Sequence, residues 1–381
     1  IMWPWTIKFL WSPFLEIFRT KKFFVVTTQL LSGILFGLAA LSLHLPSFFA
    51  VTIAVFAVVA FSGATHDIAA DGVYMSELTT QDQAKYIGWQ GAFYNLAKLV
   101  ATGGLVWLAG WLYEGFSADG ASSYDASVGS WTVVLLILCG TLVALGLYHL
   151  RALPSGGSAS EGRSLRDGLS GLREVIGAFF TKRHIWYYIA FIILYRLGEG
   201  FVMKIVPLFL KADTASGGLG LTNQQIGLYY GTFGAGAFLL GSLLAGYYIA
   251  HRGLRRTLFI LCCIFNIPFA VYALLAWLQP QSMWIVGGGI VLEYFGYGFG
   301  FVGLTLFMMQ QVAPGRHQMA HYAFASGIMN LSVMLTGMAS GFLSDLMSYR
   351  IFFLAVMLAT IPAFVITRLV PFTYDDKPND K

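Results

Sequence analysis

Asp67 and Asp71 stand four residues apart in an otherwise apolar stretch, Ala64-Thr65-His66-Asp67-Ile68-Ala69-Ala70-Asp71. On a helix this spacing puts both carboxylates on one face, one turn apart. Further ionisable residues interrupt apolar runs at Lys98, Arg196, Glu199, Lys204 and Glu293. A charge in the middle of a membrane helix costs about 3 kcal/mol or more, so it faces a bundle interior, a water-filled path or a partner. Two kinds of chemistry are open to such a set. A carboxylate can bind a proton, and two neighbouring carboxylates resist being ionised together. A lysine or arginine can hold an anionic solute, or simply neutralise an acid nearby.

Each residue admits a functional and a structural reading. Asp67 and Asp71 carry a proton or meet a cationic group, or they cap and pair near a helix end. His66 relays a proton, or makes a helix-end hydrogen bond. Lys98, in Tyr94-Asn95-Leu96-Ala97-Lys98-Leu99, is expected to pair with Asp67 or Asp71, or to hold an anionic substrate. Arg196 and Glu199 are three apart and can pair within one helix. With Lys204 they offer two positive charges and one carboxylate in a single span, which suits an anionic or zwitterionic substrate. Gly198 and Gly200 loosen that helix and Pro207 can kink it. Glu293 is a lone acid among aromatics and glycines, either a proton site or a structural hydrogen-bonding group. Gln310 and Gln311 close the same span and are expected to face water. Lys8 is expected to snorkel to the interface.

These residues need long apolar elements to hold them. The chain is 57% hydrophobic and 11% charged, where soluble domains carry about 25% charged residues. Eleven hydrophobic segments are readable, at 1–13, 23–43, 48–74, 86–112, 129–150, 184–210, 223–250, 257–279, 282–311, 319–345 and 350–371. All but the first suffice for a helix across a bilayer of about 30 Å, so an all-α integral membrane protein is expected. Gly227, Gly231, Gly234 and Gly241 read as a small-residue packing stripe. Lys and Arg gather on one set of loops, including Lys21, Lys22, Arg151, Arg252 and Arg316, while the opposite loops hold Lys211 and Arg350. The basic side is therefore cytoplasmic.

The net charge of +5 follows this topology, so no nucleic-acid partner is expected. Cys139, Cys262 and Cys263 lie in apolar runs and form no metal motif. With no phosphate-binding loop, zinc signature or nucleophile elbow, no metal, cofactor or enzymatic activity is expected. Segment 151–183 begins with the linker-like Pro154-Ser155-Gly156-Gly157-Ser158-Ala159-Ser160. It continues with Leu165, Leu169, Leu172, Ile176 and Phe179 at helical spacing, a pattern for an amphipathic helix on the inner membrane surface. The basic loop at Arg19, Lys21 and Lys22 corresponds to that at Arg252, Arg255 and Arg256 only if one span is missing at the front. The expectation is a truncated twelve-span protein with eleven visible helices. Residues 1–150 form an N-terminal half-bundle (first span missing, second partial) and 151–183 a cytoplasmic linker. Residues 184–371 form a six-helix half, and 372–381 a cytoplasmic tail. Two halves with equivalent loops suggest the major facilitator architecture.

Three stretches together resemble a known family: Lys8-Phe9-Leu10-Trp11-Ser12-Pro13, Thr65-His66-Asp67-Ile68-Ala69-Ala70-Asp71-Gly72 and Tyr195-Arg196-Leu197-Gly198-Glu199. In order and position they look like the motifs of AmpG-type muropeptide permeases and the related acetyl-CoA transporters. His66 replaces that family's common Gln, and its acid–Arg loop appears only as Glu16-Ile17-Phe18-Arg19. The resemblance implies a major facilitator fold and proton-driven import of anhydro-muropeptides across the bacterial inner membrane for cell-wall recycling. It places Asp67, Asp71, Arg196 and Glu199 at motif positions, with Lys98 where a basic residue is common. The expected function is proton-coupled secondary transport by a monomer in the lipid bilayer. Asp67, Asp71, Glu199 and Glu293 are the proton candidates. Lys98, Arg196, Lys204 and His66 are the substrate or charge-pair candidates. Transport of another sugar, nucleotide-like or drug-like solute is the alternative, followed by a membrane-embedded enzyme or sensor.

Overall fold

A computed structural model describes residues 3–156 and 165–374. The predicted Gly/Ser linker from 157 onward and the predicted tail from 375 onward lie outside the described residues. Among the described residues every regular element is helical. Eight helices are long and apolar enough to cross a membrane: Lys21–Ser42, Phe48–Glu77, Ser123–Ala152, Asn223–Arg252, Leu254–Leu278, Met283–Val312, Gln318–Leu346 and Tyr349–Leu369.

The other three predicted spans are built from shorter pieces, each with a local cause. Segment 1–13 becomes Trp3–Ile7, Lys8–Leu10 and Ser12–Ile17; Pro13 opens the last of these, where its missing N–H costs nothing. Segment 86–112 is Thr80–Leu99 joined to Leu105–Ala118 by a widened turn, Val100–Gly104, where Gly103 and Gly104 weaken the regular helix. Segment 184–210 is Ile185–Tyr195 and Leu197–Lys211, with the break at Arg196. Pro207 is accommodated inside the second piece. Side-chain caps fix several starts: Thr20 accepts from the Phe23 N–H, Ser122 from Asp125, and Thr222 makes a reciprocal capping box with Gln225.

The chain gathers into two compact units that interleave in sequence. One contains the residues up to Glu77, Leu96–Gly177 and Gly315–Phe324; the other contains Leu78–Asn95, Ala178–Pro314 and the residues from Ala325 onward. In the first unit, helix 21–42 packs on helices 48–77 and 123–152. Leu15, Ile68, Met319 and Ala323 form one buried cluster, and Val25, Ala69 and Val73 another. In the second unit, helix 234–252 packs along helix 283–307, and helix 349–369 packs on helices 185–195 and 270–278.

The predicted glycine stripe is only half used. A side chain at Gly241 would overlap the Phe295 carbonyl and one at Gly234 would press on the Tyr294 ring, whereas Gly227 and Gly231 meet nothing within 4 Å. The latter two lie in the widened turn Gly227–Phe233, where tyrosines such as Tyr230, against Tyr294 at a centroid distance of 5.0 Å, make the contacts instead. The predicted amphipathic helix is present as Leu165–Phe180. Val175 and Phe179 are buried while Arg173 and Glu174 are exposed, and Arg316 donates to Glu174 at 2.7 Å. Beyond it, the Lys182 ammonium donates to the carbonyls of Val312, Ala313 and Pro314 at 2.5, 3.1 and 2.8 Å.

Candidate functional site

Polar groups collect in two places, one in each unit. In the first, the acid pair lies on helix 48–77. Lys8 donates to Asp67 at 2.6 Å, and the Trp11 indole donates to Thr65 at 3.1 Å. Two of the three motif stretches thus pin each other. This corrects one expectation. Lys8 does not snorkel: it is 2% exposed, because the Asp67 carboxylate supplies inside the protein what water would supply outside. Asp67 is thus paired with Lys8, and Lys98 is exposed. Asp71 is buried at 6% exposure, and buried Tyr322 lies within electrostatic reach of both acids.

His66 points elsewhere. Its Nε2 is buried without a hydrogen-bond partner and borders a cavity of about 430 Å³ lined by Trp5, Gln29, Ser32, Phe36 and Phe56 among others. Gln29 is held by His149 at 2.8 Å. Glu16, in the sequence only a remnant of a loop motif, has a structural partner. Its carboxylate accepts from the Ala320 N–H at 3.0 Å, at the start of helix 318–346, where acids are favourable.

The second cluster is built around the break at Arg196. The guanidinium grips Glu199 with two hydrogen bonds, Nε and Nη2 each at 2.5 Å from a carboxylate oxygen, and both residues are buried. Glu199 occupies the first turn of helix 197–211, where the helix end also favours its charge. Arg196 stacks over the Phe301 ring at 5.1 Å. The predicted glycines serve close approach: a side chain at Gly198 would press on Thr360 and Phe269, and one at Gly200 would overlap Thr336. Lys204 is exposed, and its methylenes lie alongside Gly337.

Glu293 belongs to the same cluster. It is 5% exposed and accepts from the Tyr272 hydroxyl at 2.8 Å. Among the described residues no ion pair reaches it. Tyr297, one turn on, sets its hydroxyl against both Arg196 and Glu199. Tyr272 and Tyr297 escape sequence reasoning, because a tyrosine among many in apolar helices gives no signal until its neighbours are known. Gln310 and Gln311 correct a second expectation. Both are buried. Gln310 donates to the Thr80 carbonyl at 3.0 Å. Gln311 donates to the Tyr374 carbonyl and accepts from the Thr373 and Tyr374 N–H groups at 2.9–3.0 Å. A widened turn, Met308–Val312, ends the helix and turns the two amides inward.

What this arrangement offers is charge pairing and proton binding inside membrane-spanning helices. The comparisons with known proteins point to a membrane transporter. The chain is 23% identical over 369 residues to the anhydromuropeptide permease of Escherichia coli K12, covering 95% of this chain and 69% of that protein. It is 24% identical over 205 residues to a putative transporter, AmpG 2, of Rickettsia typhi, covering 51% of this chain and 46% of that protein. The crystal structure of the E. coli fucose:proton symporter superposes with a TM-score of 0.66 at 11% identity, covering 95% of this chain and 90% of that one. The model of the Major Facilitator Superfamily matches residues 5–317 and, in a second match, 192–381. The chain therefore belongs to the Major Facilitator Superfamily, and is a multi-pass membrane transporter rather than an enzyme.

Proposed function

We propose that this protein imports anhydro-muropeptides, or a closely related anionic sugar derivative, with protons across the bacterial inner membrane by alternating access. The observation that carries the reading is the state of Glu293. A carboxylate buried without a cation is costly, and a proton removes the charge while Tyr272 still satisfies an oxygen. A proton taken from outside and released inside would drive accumulation of the solute. Asp71 is the corresponding acid of the other unit, with Asp67 committed to Lys8. Arg196 engages the acidic groups of the substrate by exchanging Glu199 for a substrate carboxylate, with Lys98 and Lys204 as further cations along the route. The similarity to a permease named for anhydromuropeptides supports the substrate class. The fold likeness to a sugar:proton symporter favours a second reading, a sugar without acidic groups.

Proteoliposomes test both. An inward proton gradient is expected to drive uptake of a labelled anhydro-muropeptide above its outside concentration. Glu293→Gln should abolish accumulation while leaving exchange between the two sides. Uptake indifferent to the gradient would remove the proton coupling. Uptake of a neutral sugar in preference to the anhydro-muropeptide would replace the substrate.

A further inference from the structure

We infer that Tyr297 is a positioning residue that keeps Arg196 committed to Glu199, so that Glu293 is left without a cation and holds a proton. The inference rests on the proton-coupled reading above and adds to it the residue that sets which carboxyl takes the proton.

Three observations carry it. The first is a mismatch of charges: the cluster buries one guanidinium and two carboxyl groups, and the guanidinium spends two donors on Glu199. A buried arginine able to choose between two acids would neutralise either, because an unpaired buried charge is the costliest outcome. Something must fix the choice. The second is the position of Tyr297. It lies four residues after Glu293 on helix 283–307, so the two share a face. Its hydroxyl meets Arg196 and Glu199, where the phenol oxygen can accept from the guanidinium while its proton goes to the carboxylate. The third is that this hydroxyl has little room to wander. Its ring is wedged by Phe238, Phe265 and Phe301 at centroid distances of 4.9, 5.8 and 6.0 Å, and Phe301 also underlies Arg196.

The groups that act on Glu293 are consistent with this division. Tyr272 donates to it from helix 270–278. Tyr230 faces it from the turn 227–233, Tyr294 and Tyr297 from its own helix, and Glu199 from helix 197–211. None of these is a cation. Loss of the Tyr297 hydroxyl would let Arg196 turn toward Glu293, which would then give up its proton at lower pH.

The test needs no substrate. Infrared difference spectra of the purified full chain, titrated with pH, follow the carbonyl band of a protonated carboxyl, and the band lost in Glu293→Gln belongs to Glu293. Tyr297→Phe keeps the ring and is expected to move the midpoint of that band down by about one pH unit, tenfold in proton concentration. Glu199→Gln frees the guanidinium by another route and should move it the same way. Tyr195→Phe removes a neighbouring buried hydroxyl that bonds the Gly300 carbonyl, and should leave the midpoint in place. A midpoint unmoved in Tyr297→Phe, or moved equally by Tyr195→Phe, overturns the inference. If wild type shows no band that Glu293→Gln removes, the proton assignment to Glu293 falls and the inference with it. Failure of anhydro-muropeptide uptake alone would bear only on the substrate.

Discussion

Lys8 and Asp67 form a bond with unequal ends: the ammonium is 2% exposed and the carboxylate side chain 43%. Removing the acid strands a charge inside the protein, while removing the lysine leaves an acid that can turn to water. Asp67→Asn is therefore expected to destabilise by about 3 kcal/mol, and Lys8→Met by about 1 kcal/mol or less. The double variant should recover most of the loss. Denaturant unfolding of the three proteins in detergent decides it, and a Lys8→Met cost exceeding that of Asp67→Asn would refute the asymmetry.

Helix 234–252 offers a paired test of close packing. Alanine at Gly241 would meet the Phe295 carbonyl, a backbone atom that cannot swing aside, whereas alanine at Gly236 has nothing within 4 Å. Gly241→Ala should lower stability by about 2 kcal/mol through overpacking. Gly236→Ala should be neutral or raise it by up to ~1 kcal/mol from helix propensity. Melting temperatures of the two single variants provide the check.

Glu16 and Lys182 predict slopes of opposite sign in separate pH ranges. Burial raises the Glu16 carboxyl above its usual 4.5, against the opposing pull of the Ala320 N–H and Lys21. The native state then holds this proton more tightly than the unfolded chain, so stability falls as pH climbs from 4.5 through the raised value, by at most about 1.4 kcal/mol per pH unit. Glu16→Gln should flatten that decline in melting temperature measured against pH.

For Lys182, burial pulls the ammonium down from 10.5 to about 8. Here the unfolded chain binds the proton more tightly, so stability should rise between about pH 8 and 10.5. Lys182→Met is expected to abolish the rise and, by releasing three carbonyls at the end of helix 283–312, to loosen the 312–314 segment. Amide exchange of the following residues reports that loosening; unchanged exchange would mean that the lysine holds nothing.

These outcomes also mark what the sequence could convey. The spans were legible because a bilayer demands a length of apolar chain whatever the neighbours are. The Arg196–Glu199 pair was legible because its partners are three residues apart, a spacing at which neighbouring side chains can meet. The break at Arg196 was hinted at by Gly198 and Gly200, but its place depends on Thr336 and Thr360 packing against those glycines. Lys8–Asp67 and Tyr272–Glu293 span 59 and 21 residues, and nothing periodic encodes such meetings. Lys8 read as an interfacial lysine for the same reason that Gln310 and Gln311 read as solvated. A polar residue at a span end goes to water by default, and only the fold can offer it something better.

Gln311 clamps the end of the described chain through its backbone. Its single amide takes two N–H groups and gives one N–H to the main chain at Thr373 and Tyr374, as a neighbouring strand would in a sheet. Such a grip reads backbone and is blind to side chains. The grip is therefore indifferent to the side chains at 373 and 374, although Thr373 adds a bond of its own between its hydroxyl and that of Tyr188 at 2.7 Å. Evolutionary drift at Tyr374, short of proline, should leave the course of the chain intact, with much of the constraint stored at a distant position.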